Sequence, residues 1–260
     1  MKLRLWAILL LCALPAQAHE IWLEPQTFLL APDATGVQVQ FRLSDGKEVR
    51  EAQLKPEHLL RFELVTGALH QLLKLTPGDI PTADVSLPPG PPAQSLIVMQ
   101  TEPRHTNLAA PQFLIYLRDQ GLTSIIEERR RRGESDRTAR EDYMRCMKTL
   151  ITPDKKLPPW DEPQGCPYEI VLRRLVSRTH TFEVIRHGDA LAGSQQIRFT
   201  NLDTGKVYRT VRTDRNGKVT LPLPPGRWLA TSVAMRRSSE LQSDWRSDWA
   251  SLTWQAFGKK

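Results

Sequence analysis

The chain has 260 residues, a formal net charge of +7 and three cysteines. That length suits one large domain or two of ordinary size, each burying its own core, and two is the expectation. The basic excess is spread along the chain, which argues against a dedicated nucleic-acid role.

Residues 1–18 have the pattern of a cleavable export signal. Lys2 and Arg4 supply a basic start, LWAILLLCALP an apolar core, and Ala16-Gln17-Ala18 a small-x-small cleavage site. The apolar run is roughly half of the ~20 residues that span a bilayer, so a transmembrane helix is disfavoured. Leu11 before Cys12 is too bulky for a lipoprotein signal. Cleavage after Ala18 makes His19 the mature N-terminus, predicting a periplasmic protein with no later membrane-spanning segment and no channel of its own.

The first third, taken as an N-terminal β-rich domain over 19–151, alternates as strands do. In VQVQFRL, Val37, Val39, Phe41 and Leu43 share one face, and Gln38, Gln40 and Arg42 the other. LLRFELV and QSLIVMQT are further strands, and the proline-dense stretch from Pro81 to Pro92 is a surface connector. The period then changes to a helical segment over about 111–151. Phe113, Leu114 and Leu117, then Ile125 and Ile126, fall at helical spacing, with Gly121 as a break. A third helix is predicted from about Thr138 to Leu150, with Asp136 as N-cap and Tyr143, Met144, Met147 and Leu150 as its apolar stripe. The four arginines Arg129 to Arg132, flanked by Glu127, Glu128 and Glu134, predict a solvated helix end. Pro153, Pro158 and Pro159 mark a linker over 152–166.

From 167 to 260 seven short strands follow at regular spacing: YEIVL, TFEVIR, QQIRFTN, KVYRTVRT, GKVTLPL, GRWLATSVAM and WASLTWQAF. Together they predict an immunoglobulin-like or transthyretin-like β-sandwich, with Asn216-Gly217 as the strongest hairpin signal. The fold class is therefore mainly β with a helical insertion, an N-terminal β-rich domain preceding the C-terminal sandwich. Trp245, Trp249 and Trp254 read as core fillers of the last strand rather than a sugar-stacking platform. With Cys12 lost to the leader, Cys146 and Cys166 remain as a pair suited to a disulfide in an oxidising compartment.

The segments HEIWLEP, FLIYLRDQGL, REDYMRCMKTLI, TDRNGKVTLPLPPGRWLATSVAM and DWRSDWASLTW, in that order, resemble a family of bacterial periplasmic proteins of unknown function. That family is often labelled a periplasmic component of nickel or cobalt uptake. The resemblance spans nearly the whole mature chain. It implies a two-part, β-rich exported protein with a prealbumin-like C-terminal module and a membrane metal transporter as partner. One departure stands out: many members carry a histidine before the methionine of VAM, where this chain has Ala234 before Met235.

Three functional readings follow. A histidine at a free N-terminus can chelate one transition-metal ion (Ni, Co, Cu or Zn) through its amine and ring, with Glu20 as an added oxygen and His105 as a third ligand; His180 and His187 are the alternatives for that third place. The second reading is a metal-independent structural or adhesion-type module that binds protein or carbohydrate. The third is a copper oxidase built on a histidine brace. Catalytic motifs are absent: the chain has no G-x-S-x-G, no H-E-x-x-H and no glycine-rich phosphate loop. The metal-binding or accessory reading leads.

Overall fold

The structure, a computed structural model, describes residues 20–44, 48–75, 82–155, 161–176, 178–191 and 193–258. Residues 1–19, with the expected leader and His19, lie outside the described residues. Strands β1 (Glu20–Pro25), β2 (Gly36–Ser44), β3 (Val49–Glu51), β4 (Leu59–Thr66), β5 (Leu69–Leu72), β6 (Thr82–Ser86), β7 (Ser95–Thr101) and β8 (Arg104–Leu108) come first. Helices α1 (Ala110–Asp119) and α2 (Thr123–Arg131) follow, then β9 (Ala139–Ile151). The remainder is β10 (Tyr168–Val176), β11 (Thr179–Arg186), β12 (Asp189–Ala190), β13 (Gln196–Asn201), β14 (Lys206–Arg212), β15 (Lys218–Pro222), β16 (Gly226–Arg237) and β17 (Trp245–Ala256).

A nine-stranded sheet runs through the molecule in the order β14-β13-β16-β17-β9-β7-β4-β5, with β8 also pairing β9. It takes strands from both sides of the 152–166 stretch. The join is β9 against β17, which are parallel, with Cys146 opposite Ala250 and Lys148 opposite Leu252. Because side chains alternate along a strand, β9 presents Cys146 and Leu150 to one face and Met147 and Ile151 to the other. The first face is covered by the four-stranded sheet of β10, β11, β12 and β15, whose Ile170, Leu172, Phe182 and Val184 pack with Phe199, Trp228 and Trp254. The second face carries two neighbours. The sheet of β1, β2, β3 and β6 covers one end through Leu23, Val39 and Phe41, and the helices cover the other through Phe113, Tyr116 and Leu117 against Trp245 and Trp249.

Much of the expected pattern is present. β2 buries Val37, Val39 and Phe41, all seven C-terminal strands form, and the three late tryptophans are buried. Cys146 and Cys166 are joined, with Cα atoms 6.1 Å apart. The protein is a β-rich sandwich with two short helices among its described residues, neither of them long and apolar enough to cross a membrane.

Four expectations are corrected. Residues 139–151 are a strand, not a third helix, and Asp136 caps nothing there. This strand is central and covered on both faces, so residues 146–151 are all buried and the period-two signal disappears. Tyr143, Met144, Met147 and Leu150 then match a helical stripe by coincidence. The connector from Pro81 contains β6, which pairs β2. The Asn216-Gly217 turn closes no hairpin: it carries the chain from β14 in the large sheet to β15 in the small one. There Asp214 Oδ1 accepts the backbone N–H groups of Asn216 and Lys218. Finally, Arg129 is buried, donating to the carbonyls of Glu134 and Arg137 with its guanidinium 4.9 Å from the Phe113 ring centre.

Candidate functional site

β1 places Glu20, Trp22 and Glu24 at alternate positions, hence on one side of the strand, while Leu23 faces the core between the sheets. Opposite them β2 supplies Ser44, Arg42 and Gln40 in register. This polar side faces residues of β13, β14 and β16, and the space between is a cleft of about 500 Å³. Arginines and carboxylates alternate along it. Arg198 Nη1 lies 2.7 Å from Glu20 Oε1, which also accepts from Thr231 Oγ1 at 2.9 Å. The other arm of Arg198 reaches Asp119 at 3.0 Å, at the end of α1. Arg227 lies 3.2 Å from Glu24 and 2.6 Å from Asp203, and Arg42 lies 3.5 Å from Glu24. Trp22, only 2% exposed, donates its ring N–H to Glu24.

Behind Glu20 lies a second polar cluster. Arg145 of β9 stacks between two rings, with its guanidinium carbon 4.6 Å from the Trp249 centre and 5.3 Å from that of Tyr143. Four residues before Arg145, Glu141 is 2% exposed and accepts from Tyr116 Oη at 3.0 Å and from Ser247 Oγ. Burial raises the Glu141 carboxyl to about 7, against the hydrogen bonds of Ser247 and Tyr116, which favour its charge. Trp249 Nε1 donates to the same Ser247 oxygen. Tyr116, Ser247 and Trp249 thus share one buried hydrogen-bonded network with Glu141.

The sequence-predicted ligands are placed as follows. His19 lies outside the described residues. Glu20 is at the mouth of the cleft with its carboxylate already engaged by Arg198 and Thr231. His105, 40% exposed on its side chain, binds Asp142 through Nδ1 at 2.7 Å. Asp142 and Glu141 are adjacent on β9, so their side chains point to opposite faces; Glu20 and His105 accordingly sit on opposite sides of the large sheet. His180 is buried and parallel to the Phe182 ring, and burial lowers its pKa. His187 is exposed on a turn with φ of 51°. Among the described residues no three His, Cys, Asp or Glu side chains gather as a metal site.

Sequence reasoning did not find Arg198, Arg227 or Thr231. The one local signal was the alternation of Glu20, Trp22 and Glu24, a polar edge with an aromatic in its middle; its partners stand far away in sequence.

The fold and cleft define a β-sandwich protein with a charged, open groove along its first strand. Residues 16–236 match the family described as a domain of unknown function, DUF4198, and the chain belongs to that family. No curated protein matches the sequence. Among solved structures, a tetra-tandem repeat in the extending region of a large adhesion protein is similar at 9% identity, covering 92% of this chain and 50% of its own, with a TM-score of 0.22. Salmonella alpha-2-macroglobulin reacted with methylamine is similar at 13% identity over 89% of this chain and 16% of its own, with a TM-score of 0.24. The chain thus spans half the length of the first structure and 16% of the second, and likenesses this remote carry no argument about function.

Proposed function

We propose that this chain is an exported binding protein that takes an extended polar ligand in the cleft beside β1. The observation that supports the reading is the row of Arg42, Arg198 and Arg227 facing Glu20 and Glu24 around Trp22, in a groove of about 500 Å³. Guanidinium groups in such a row can exchange their carboxylate partners for ligand carboxylates or hydroxyls, and the glutamates so released accept from ligand donors. Export is supported by the leader pattern and by the disulfide, which suits an oxidising compartment. The test is calorimetric titration of the folded protein with acidic and neutral oligosaccharides and peptides. Binding that disappears in Arg227→Met upholds the reading; binding to none of them, or binding indifferent to Arg227→Met, ends it.

A second reading, transition-metal binding through His19 in association with nickel or cobalt uptake and a membrane transporter, is favoured by the position of Glu20. Its carboxylate, held by Arg198 and Thr231, fixes the start of β1. The neighbouring Arg198 works against a cation at Glu20 itself, so the amine and ring of His19 would carry the binding. Nickel, cobalt, copper and zinc content of processed protein and of its His19→Ala variant tests this, and metal-free processed protein ends it. Peroxide formation with copper and ascorbate distinguishes a copper oxidase.

A further inference from the structure

On the face of β9 away from the cleft, a lysine is buried in the apolar core. Lys148 is 1% exposed and stands in the sheet between Val98 of β7 and Leu252 of β17, with Cys146 and Leu150 on either side of it along its own face. Its Nζ lies 2.7 Å from Asp161 Oδ1 and 3.2 Å from Glu169 Oε2, and both acidic side chains are fully buried. The second Asp161 oxygen accepts the backbone N–H of Leu172 at 2.8 Å. Glu169 accepts the Gln164 N–H at 3.0 Å and the Cys166 N–H at 3.2 Å, so its oxygens serve as acceptors throughout.

One cation and two carboxylates in an apolar interior leave an unbalanced charge, and a buried set of this kind reaches neutrality by holding one proton on a carboxyl. Burial raises the Asp161 pKa, with Lys148 acting against it, and acyl transfer at Asp161 requires the shared proton on that residue. With the proton there, a lysine nitrogen faces a carboxylic acid in the dry interior, with a carboxylate within hydrogen-bond reach of the same nitrogen. That is the constellation for acyl transfer: nucleophile, base, and a backbone donor on the oxygen that must take charge.

We propose that Lys148 and Asp161 join through a side-chain amide bond formed by the folded protein itself, with Glu169 as the base. Glu169 takes one proton from the Lys148 ammonium and keeps it. The freed amine attacks Asp161 Cγ, and the Leu172 N–H stabilises the charge that develops on Oδ2. A further nitrogen proton passes to Oδ1, which already carries the proton of the acid. The Cγ–Oδ1 bond breaks, and one water leaves. The third nitrogen proton remains on the amide. No electrons are exchanged, and the product is a neutral amide beside a neutral Glu169, free of the buried charges that preceded it. Holding the groups in contact supplies the effective concentration that the same condensation lacks in water.

The test is the intact mass of the folded wild-type chain after reduction and denaturation, referred to the mass of its own N-terminally sequenced polypeptide. The expected result is a deficit of one water, together with a branched tryptic peptide joining the segments that contain Lys148 and Asp161. Glu169→Gln and Lys148→Met should each return the full mass. Full mass in the wild type, with trypsin cleaving freely after Lys148, overturns the proposal and leaves a buried ion-pair cluster. A water deficit that maps to any other pair of residues overturns it equally. The wild-type measurement decides the matter even where a variant fails to fold.

Discussion

Arg198 holds Glu20 at 2.7 Å across 178 positions of sequence, tying the first described residue of the chain to an edge region of the sandwich. The pair is mostly buried, and Thr231 donates to the same carboxylate oxygen. Removing the guanidinium leaves a mostly buried carboxylate short of a partner. Arg198→Met should therefore destabilise the protein by about 2 kcal/mol, less than a fully buried pair would lose. The check is urea unfolding. A loss within ~0.5 kcal/mol, the range of ordinary surface substitutions, would show that the pair anchors nothing.

Glu141 gives a pH dependence. Its carboxyl titrates at about 7 in the folded protein, above the ordinary value of 4.5, because burial penalises its charge. Between those values the unfolded chain gives up the proton and the folded chain keeps it, so its contribution is fully present below the unfolded pKa. It is lost as pH rises through the folded value. Stability should fall by about 3 kcal/mol between about pH 4.5 and about pH 7 on this account and level off above. Glu141→Gln, which keeps the shape and lacks the titration, should flatten that slope in urea unfolding measured across this range. An unchanged slope would assign the dependence elsewhere.

The Cys146–Cys166 bond closes a loop with a sequence separation of 20. Cys146→Ala with Cys166→Ala should lower unfolding free energy by about 3 kcal/mol in the chain-entropy model, measured in the Lys148→Met background, where no second closure exists. In the otherwise wild-type chain the loss should be smaller, because an amide between residues 148 and 161 would already close most of the same loop. Equal losses in both backgrounds would contradict the amide.

Gly217 has φ of 73°, and a Cβ placed there would lie 2.9 Å from the Leu191 carbonyl oxygen. Gly217→Ala combines a left-handed backbone with a contact against rigid main chain. The expected cost is about 2 kcal/mol, read as a lowered Tm. A neutral outcome would mean that the β14 to β15 connection moves freely.

The strands with one covered face were legible in the sequence. Val37, Val39 and Phe41 alternate with polar residues because only one side of β2 meets the core. The disulfide was legible because, apart from Cys12 in the expected leader, the sequence has two cysteines. β9 was not, since burial on both faces erases alternation and leaves Met147 and Leu150 fitting either period. Nor was Lys148, which looked like a polar position within a helix and is the centre of a buried triad. The cleft was half legible. Glu20 belongs to a recognisable segment, but pairing with Arg198 and Arg227 is decided by sheet topology, which a local pattern does not encode.

The parallel pairing of β9 with β17 has a consequence for the birth of the molecule. Residues 139–151 have one edge closed by β7 and β8, which precede them, and the other by a strand that begins at Trp245. Until residues 245–256 have been delivered, that second edge has no native partner, and its backbone N–H and C=O groups are open to strands of other chains. Completion of the large sheet is then a long-range closure, slow by the rule that distant contacts cost more loop entropy, and it makes the docking of β17 the step that ends vulnerability to aggregation.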